Sequence, residues 1–168
     1  MSKPFKQLVI HCTATREGVD ISAATIKSWH TSPKPKGRGW RVVGYSDLIL
    51  LNGARHKFVQ HNGDQFIDAS EITNGVAGQN SVSRHVCYVG GVDKNVKAKN
   101  TLTEAQAETL KQIIFEVLKY APNVVIGGHN QFDNKACPSF WVPTFLRSIG
   151  VEEKNIYTKD PFGYGKLF

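Results

Sequence analysis

The stretch TEAQAETLKQIIFEVLKYAPNVVIGG, residues 103–128, decides the architecture. Thr103 and Gln106 stand at the spacing of a capping box, in which a hydroxyl and an amide each satisfy a backbone N–H left unpaired at a helix start. Leu110, Ile113, Ile114, Val117 and Leu118 then recur at the i, i+3, i+4, i+7, i+8 positions of one apolar face, which predicts a helix with that face buried. Pro122 ends the helix, and Val124-Val125-Ile126 follows as a short apolar strand that stops at Gly127-Gly128. Upstream, Ser83 to Val89 reads as another strand, closed by Gly90-Gly91. Strand, long helix, strand is a parallel crossover unit, whose helix covers one face of a sheet.

Near the other end of the chain, Gln7 to Cys12 is a short buried strand by its apolar and β-branched content. Ser22 is an N-cap for a short helix to His30, which Pro33 and Pro35 prevent from continuing. Lys34 to Trp40 is an irregular loop of charge, proline and glycine. Asp47 to Leu51 and Ala54 to Gln60 flank Asn52-Gly53, a pair suited to a two-residue hairpin turn whose central positions both need positive φ. Asn62-Gly63 marks a second turn before Gln65-Phe66-Ile67. Trp141 to Ser148 predicts a last helix, with Pro143 in its first turn and Gly150 past its end. The expected fold class is α/β, a single domain over residues 1–150 with a mixed central β-sheet flanked by helices. Residues 151–168 form a polar, glycine-containing tail, packed on that domain by its aromatics or extending from it.

Composition narrows the function classes. At 168 residues and 40% hydrophobic content the chain can build one core without disulfide staples. Cys12, Cys87 and Cys137 are odd in number and far apart, which argues against a disulfide framework and for a reducing compartment. No apolar signal-peptide segment follows Met1 and no run approaches the length of a membrane span, so the expectation is cytoplasmic synthesis without a signal peptide or membrane insertion. A formal net charge of +7 points to an anionic partner: nucleic acid, a membrane surface or a polyanionic wall. The basic clusters Lys34–Arg38 and Lys94–Lys99 read as loops, with no recognition helix or aromatic-basic strand, so no specific nucleic-acid partner is expected. A monomer is the default.

The chemistry concentrates in Gly128-His129-Asn130-Gln131-Phe132-Asp133-Asn134-Lys135-Ala136-Cys137-Pro138, where a histidine and a cysteine share one loop with a lysine between them. Imidazole nitrogen and thiolate sulfur are ligand types that zinc accepts readily. A surface histidine and a small buried cysteine are the plainer alternative for the pair alone. His11, which closes the apolar run Leu8-Val9-Ile10, is the best candidate for a third donor. If its strand and the strand at 124–126 are parallel, His11 and His129 share the C-terminal rim of the sheet, where ligand sites of α/β folds lie. A three-ligand zinc site with an open position activates water and polarises a carbonyl, which suits amide hydrolysis. Such a site also needs a proton-handling group and a donor for the developing oxyanion. Lys135 supplies a positive charge on the same loop, and Tyr45 a phenol that either serves the site or is a core aromatic with its hydroxyl hydrogen-bonded.

Together, Ile10-His11-Cys12-Thr13-Ala14-Thr15, Trp29-His30, Gly39-Trp40-Arg41 leading to Gly44-Tyr45, Asn80 to Gly91, and Gly128-His129 with Lys135-Ala136-Cys137-Pro138 resemble the zinc N-acetylmuramoyl-L-alanine amidases of the phage-lysozyme type, related in fold to the peptidoglycan recognition proteins. The resemblance spans Lys6 to Arg147. It implies the peptidoglycan-recognition-protein/amidase-like fold, zinc (Zn2+) held by His11, His129 and Cys137, and catalytic roles for Tyr45 and Lys135. The implied reaction is cleavage of the amide between N-acetylmuramic acid and L-alanine in cell-wall peptidoglycan. Trp40, Arg41, Asn80 and His30 are the candidate substrate-binding residues, since aromatic faces pack on sugar rings and a cation meets peptide carboxylates. Trp29 fits a groove or a core. Many members of the family carry histidine where this chain has Ser46 and Gly75, and these departures bear on substrate contacts. Ser83-Arg84-His85 either shapes the groove or supports it structurally. His56, His61 and His85 are read as strand or turn residues without a metal role, and Cys12 and Cys87 as buried structural thiols. The expected role is that of a phage or prophage endolysin reaching the wall after release by a holin or by lysis. The alternative is a non-catalytic module that holds a muropeptide without cutting it.

Overall fold

The computed structural model describes residues 1–168. In chain order the strands of the first half are β1 (Lys3–Pro4), β2 (Gln7–Cys12), β3 (Thr15–Arg16), β4 (Asp47–Ile49), β5 (Arg55–Lys57) and β6 (Phe66–Ile67), with α1 (Ala23–Thr31) between β3 and β4. The second half holds β7 (Ser83–Tyr88), β8 (Gly91–Val92), α2 (Glu104–Tyr120), β9 (Val125–Gly128) and α3 (Val142–Ser148). Five strands make the central sheet in the order β5-β4-β7-β2-β9. Four of them run parallel and β5 lies antiparallel at one edge, which is the mixed sheet expected from the sequence. Two small pairs, β1 with β6 and β3 with β8, lie outside it. No helix is long and apolar enough to cross a membrane.

Alternation along the strands sorts the side chains into two layers. Leu8 and Ile10 of β2, Val86 and Tyr88 of β7 and Ile126 of β9 pack with Leu110, Ile113, Ile114 and Val117 of α2 and with Val142 and Leu146 of α3 in one large core. On the opposite face Leu48 and Cys87 meet Ile26 of α1 and Val43 in a smaller cluster. Helix α2 begins at the expected capping box, with the Gln106 N–H donating to Thr103 Oγ1 and the Thr103 N–H to Gln106 Oε1, both at 3.1 Å. Gln106 is fully buried, and its Nε2 also donates to Val89 O at 2.9 Å, so the cap fastens the helix to the end of β7.

The hairpin between β4 and β5 forms where expected, but its turn differs. Of the pair Asn52-Gly53 only Gly53 has positive φ, at +86°. The Gly53 N–H donates to Leu50 O and the Leu50 N–H to Ala54 O, both at 2.8 Å, so Leu51 and Asn52 are the central turn residues and Gly53 follows them in the left-handed region. This is the three-residue form of the hairpin loop rather than the two-residue one. Two contacts favour it: Asn52 Oδ1 accepts the Ala54 N–H at 2.9 Å, and Thr109 Oγ1 on α2 donates to Gly53 O at 2.6 Å.

The chain beyond α3 adds to the same body. Val151 and Ile156 belong to the large core, and Ile156 bridges to Ile126 at the free edge of β9. Asn155 Nδ2 donates to the carbonyls of Pro122 and Val124, both at 2.8 Å, closing the turn that enters β9. Removing the α2 cap with Thr103→Ala is expected to cost about 1 kcal/mol in urea unfolding. Gln106→Ala should cost more, because it also leaves the buried Val89 carbonyl without its partner.

Candidate metal centre

Parallel pairing of β2 with β9 sets Ile10 opposite Gly128. One step further along both chains stand His11 and His129, at the C-terminal rim of the sheet. Their Nδ1 atoms lie 3.1 Å apart, and Cys137 Sγ is 3.7 Å from His11 Nδ1. All three donor atoms fall within 4.8 Å of one another. Tetrahedral zinc with ordinary Zn–N and Zn–S bonds requires edges of about 3.3 Å between nitrogens and about 3.6 Å between nitrogen and sulfur, so the two spacings from His11 suit an ion of that kind. His11 and His129 are buried and Cys137 is half-buried.

The loop that carries two of these donors is held from both sides. A short 3-10 turn, His129–Gln131, follows β9. The Asn130 N–H donates to Cys137 O at 2.7 Å, closing the loop on itself, and the buried Asn130 amide donates to Phe140 O. Gln131, also buried, accepts the Gly128 N–H and donates to Tyr157 O at 2.7 Å and Lys159 O at 2.9 Å. Phe132 stacks on Tyr157, and Tyr164 Oη lies 3.2 Å from Asn134 Oδ1. Cys137 Sγ accepts the Cys12 N–H at 3.2 Å, an arrangement that favours the thiolate form needed for metal binding.

The donors face a cleft of about 290 Å³. Tyr45 lines it, with its ring centroid 5.3 Å from that of His11 and 5.2 Å from that of His30. His30 accepts the Gly44 N–H on Nδ1 and stacks on Trp40 at 5.0 Å, forming an aromatic wall. Lys135 lies at the rim, 59% exposed, with Nζ 2.9 Å from Asp133 Oδ2. The structure therefore brings His11, His129, Cys137, Tyr45, Lys135, His30 and Trp40 to one cleft. Arg41 is exposed and outside the cleft lining; Arg38 lies there instead, its guanidinium 5.1 Å over the Trp40 ring. Asn80 also stands outside the lining, and its Oδ1 accepts the Val76 N–H at 2.9 Å, bracing the loop before β7. Trp29 is 43% exposed on α1, in neither the cleft nor the core.

Sequence reasoning did not assign Arg38 or Asn74 to the site, yet both line the cleft together with Gly75, whose departure from the family pattern it marked; His85, read as a strand residue that shapes or supports the groove without a metal role, has its Nδ1 3.1 Å from His11 Nε2. The one available signal for His85 was a polar pair, Arg84-His85, inside an otherwise apolar strand. Burial depresses the imidazoles: His129 to about 4, His85 to about 3, and His11 well below its usual value, with neighbouring histidines adding to the effect on His11. Burial also pushes the Cys137 thiol up and holds the Tyr45 phenol protonated. At neutral pH the two histidine donors are thus already neutral imidazoles, each with one nitrogen free of a proton, and the thiol is the donor that must lose a proton to bind a metal.

No protein-family model matches the chain. Among characterised sequences it is 35% identical over 142 residues to the endolysin of Enterobacteria phage K11, covering 82% of this chain and 85% of that one. It is 31% identical over 133 residues to the endolysin of Escherichia phage T7, covering 79% and 80%. Among solved structures, the endolysin N-acetylmuramoyl-L-alanine amidase LysCS of Clostridium intestinale superposes with a TM-score of 0.66 at 17% identity, covering 89% of this chain and 86% of that one. The ectodomain complex of peptidoglycan recognition proteins LCa and LCx bound to tracheal cytotoxin superposes with a TM-score of 0.65 at 16% identity, covering 94% and 88%. These likenesses establish the shared peptidoglycan-recognition-protein/amidase fold.

Two pH effects are expected. His30, His61 and His129, each depressed to about 4 by burial, and His85, depressed to about 3, bind fewer protons folded than unfolded. Their contribution to metal-free stability is complete above about pH 6.5 and is lost as pH falls toward the folded values, so urea midpoints should drop steadily between about pH 6.5 and about pH 4.5. If this cluster takes up a divalent metal near pH 7, about one proton should be released, from Cys137, measured by calorimetry in buffers of different ionisation enthalpy.

Proposed function

The chain belongs to the endolysin family represented by phages K11, KP32, T7 and T3, and from that membership we propose that it is a zinc-dependent N-acetylmuramoyl-L-alanine amidase. Its substrate is the amide between N-acetylmuramic acid and L-alanine in bacterial peptidoglycan. The observation that carries this reading is the convergence of His11 Nδ1, His129 Nδ1 and Cys137 Sγ in a cleft that Tyr45 and Lys135 also line. A zinc ion held by those three side chains supplies an activated water and a Lewis acid for the scissile carbonyl.

The other cleft residues divide the remaining work. Burial keeps the Tyr45 phenol neutral, so its hydroxyl acts by hydrogen bonding, orienting the attacking water or holding the substrate carbonyl. Lys135 brings a positive charge to the oxygen on which negative charge develops; to do so its ammonium must turn from Asp133 toward the bound substrate. The stacked His30 and Trp40 rings form an aromatic wall along which a sugar ring can lie. Arg38, whose guanidinium covers the Trp40 ring, is placed on that wall to meet a stem-peptide carboxylate. Residues 1–150 carry this machinery and 151–168 brace the loop bearing His129 and Cys137. The enzyme acts as a monomer, reaching the wall after release by a holin or by lysis, and has no specific nucleic-acid partner.

The decisive experiment is mass spectrometry of purified peptidoglycan digested by zinc-loaded protein, with His129→Ala alongside. Stem peptides with a free L-alanine amino terminus, released by the wild type and not by the variant, are expected. An uncut lactyl–alanine amide in all wall types tested would reject hydrolysis and leave a recognition module. In the same assay Tyr45→Phe should lower kcat by about 10²-fold or more, and Lys135→Met by a similar factor, with the metal still bound.

A further inference from the structure

His11 and His85 stand on adjacent parallel strands and on the same face of the sheet. The register pairs Val9 with His85 and His11 with Cys87, so the two histidines are diagonal neighbours. Both are buried, and His11 Nε2 lies 3.1 Å from His85 Nδ1. The opposite nitrogen of His11, Nδ1, is the one that faces His129 and Cys137. A neutral imidazole carries a proton on only one nitrogen. For Nδ1 to present a lone pair to a metal, Nε2 must carry the proton, and a buried N–H needs an acceptor. The protein partner of that N–H is His85 Nδ1, since no other hydrogen bond reaches His11 Nε2.

The position of the His85 ring is fixed from two directions. Its backbone carbonyl accepts from both the N–H and the hydroxyl of Ser46, each at 2.8 Å, which pins β7 against the start of β4. Across the ring lies the backbone of Gly75. A Cβ at position 75 would sit 2.2 Å from His85 Cγ and 2.3 Å from its Nδ1, so any side chain there would displace the imidazole. The two departures from the family pattern, Ser46 and Gly75, are therefore both in contact with His85. With Nδ1 accepting, His85 carries its own proton on Nε2, which is buried without a protein acceptor, so the only polar contact of this ring within the protein is the one to His11.

We propose that His85 is a positioning residue of the metal centre: its Nδ1 accepts the Nε2–H of His11, fixing the tautomer and ring orientation that present His11 Nδ1 to zinc, and Gly75 and Ser46 make room for it and hold it. The proposal rests on the zinc reading above. It is tested by zinc affinity in competition with a chromogenic chelator, independent of peptidoglycan cleavage. His85→Leu removes the acceptor, whereas in His85→Asn the amide oxygen takes the place of Nδ1. Zinc affinity is expected to fall about 10–100-fold in His85→Leu and to recover to within a few-fold of wild type in His85→Asn. In the wild type, histidine ¹⁵N shifts of the zinc-bound protein should report a protonated Nε2 and a metal-bound Nδ1 on His11. Unchanged affinity in His85→Leu, or a loss in His85→Asn as large as in His85→Leu while both metal-free variants unfold cooperatively, would overturn the proposal. A wild type that binds no zinc would instead reject the amidase reading on which it stands.

Discussion

β2 and β9 pair in parallel with Ile10 opposite Gly128, so the next residue along each is a histidine at the same level, His11 near the end of β2 and His129 just past β9. Every other part of the site is arranged around that coincidence. Parallel strands need a crossover, and α2 supplies the helix that leads into β9 after β7. Its capping amide, bonded to Val89 O, and its apolar face on Leu8, Ile10 and Val86 fix the register from the far side of the sheet. A slip of one residue would turn His11 into the large core and Ile10 out toward the cleft.

Placing three imidazoles and a thiol together under α1 and its loops is electrostatically costly. Each buried imidazole disfavours its charged form, and each neighbour adds repulsion once charged. The arrangement is tolerable because all three rings are neutral near pH 7. In the tautomer with the protons on Nε2, the Nδ1 lone pairs of His11 and His129 face one another, and a divalent cation between them would satisfy both. The same burial that makes the metal-free cluster uncomfortable thus suits it to a metal ion.

Much of this was legible in the sequence because local and long-range signals agreed. The apolar period of 110–118, its capping box and the glycines closing the strands at 90–91 and 127–128 gave the crossover, and the crossover gave the shared rim of His11 and His129. Cys137 followed from its presence on the same loop. Sequence reading failed where a residue's role depends on a contact distant in the chain. Asn52-Gly53 has the composition of a two-residue turn, but the packing of α2 on Gly53 and the Asn52 side-chain bond favour a longer loop. Arg41 and Arg38 are chemically alike, and only the path of the loop 34–40 decides which one overlies Trp40. His85 reads as a strand residue because nothing in its neighbours along the chain reveals that Gly75 has vacated the space its ring occupies.

The amide of Gln131 bonds to the carbonyls of Tyr157 and Lys159, and Tyr157 stacks on Phe132, so the ligand-bearing loop and the last segment of the chain share one set of contacts. Two equilibria are thereby linked. Whatever holds His129 and Cys137 in place also holds the terminal segment down, and whatever frees that segment loosens the ligands. Metal occupancy should therefore be felt as slower amide exchange and slower proteolytic nicking beyond residue 150, far along the chain from any ligand. The end of the polypeptide becomes a gauge of whether its metal centre is filled.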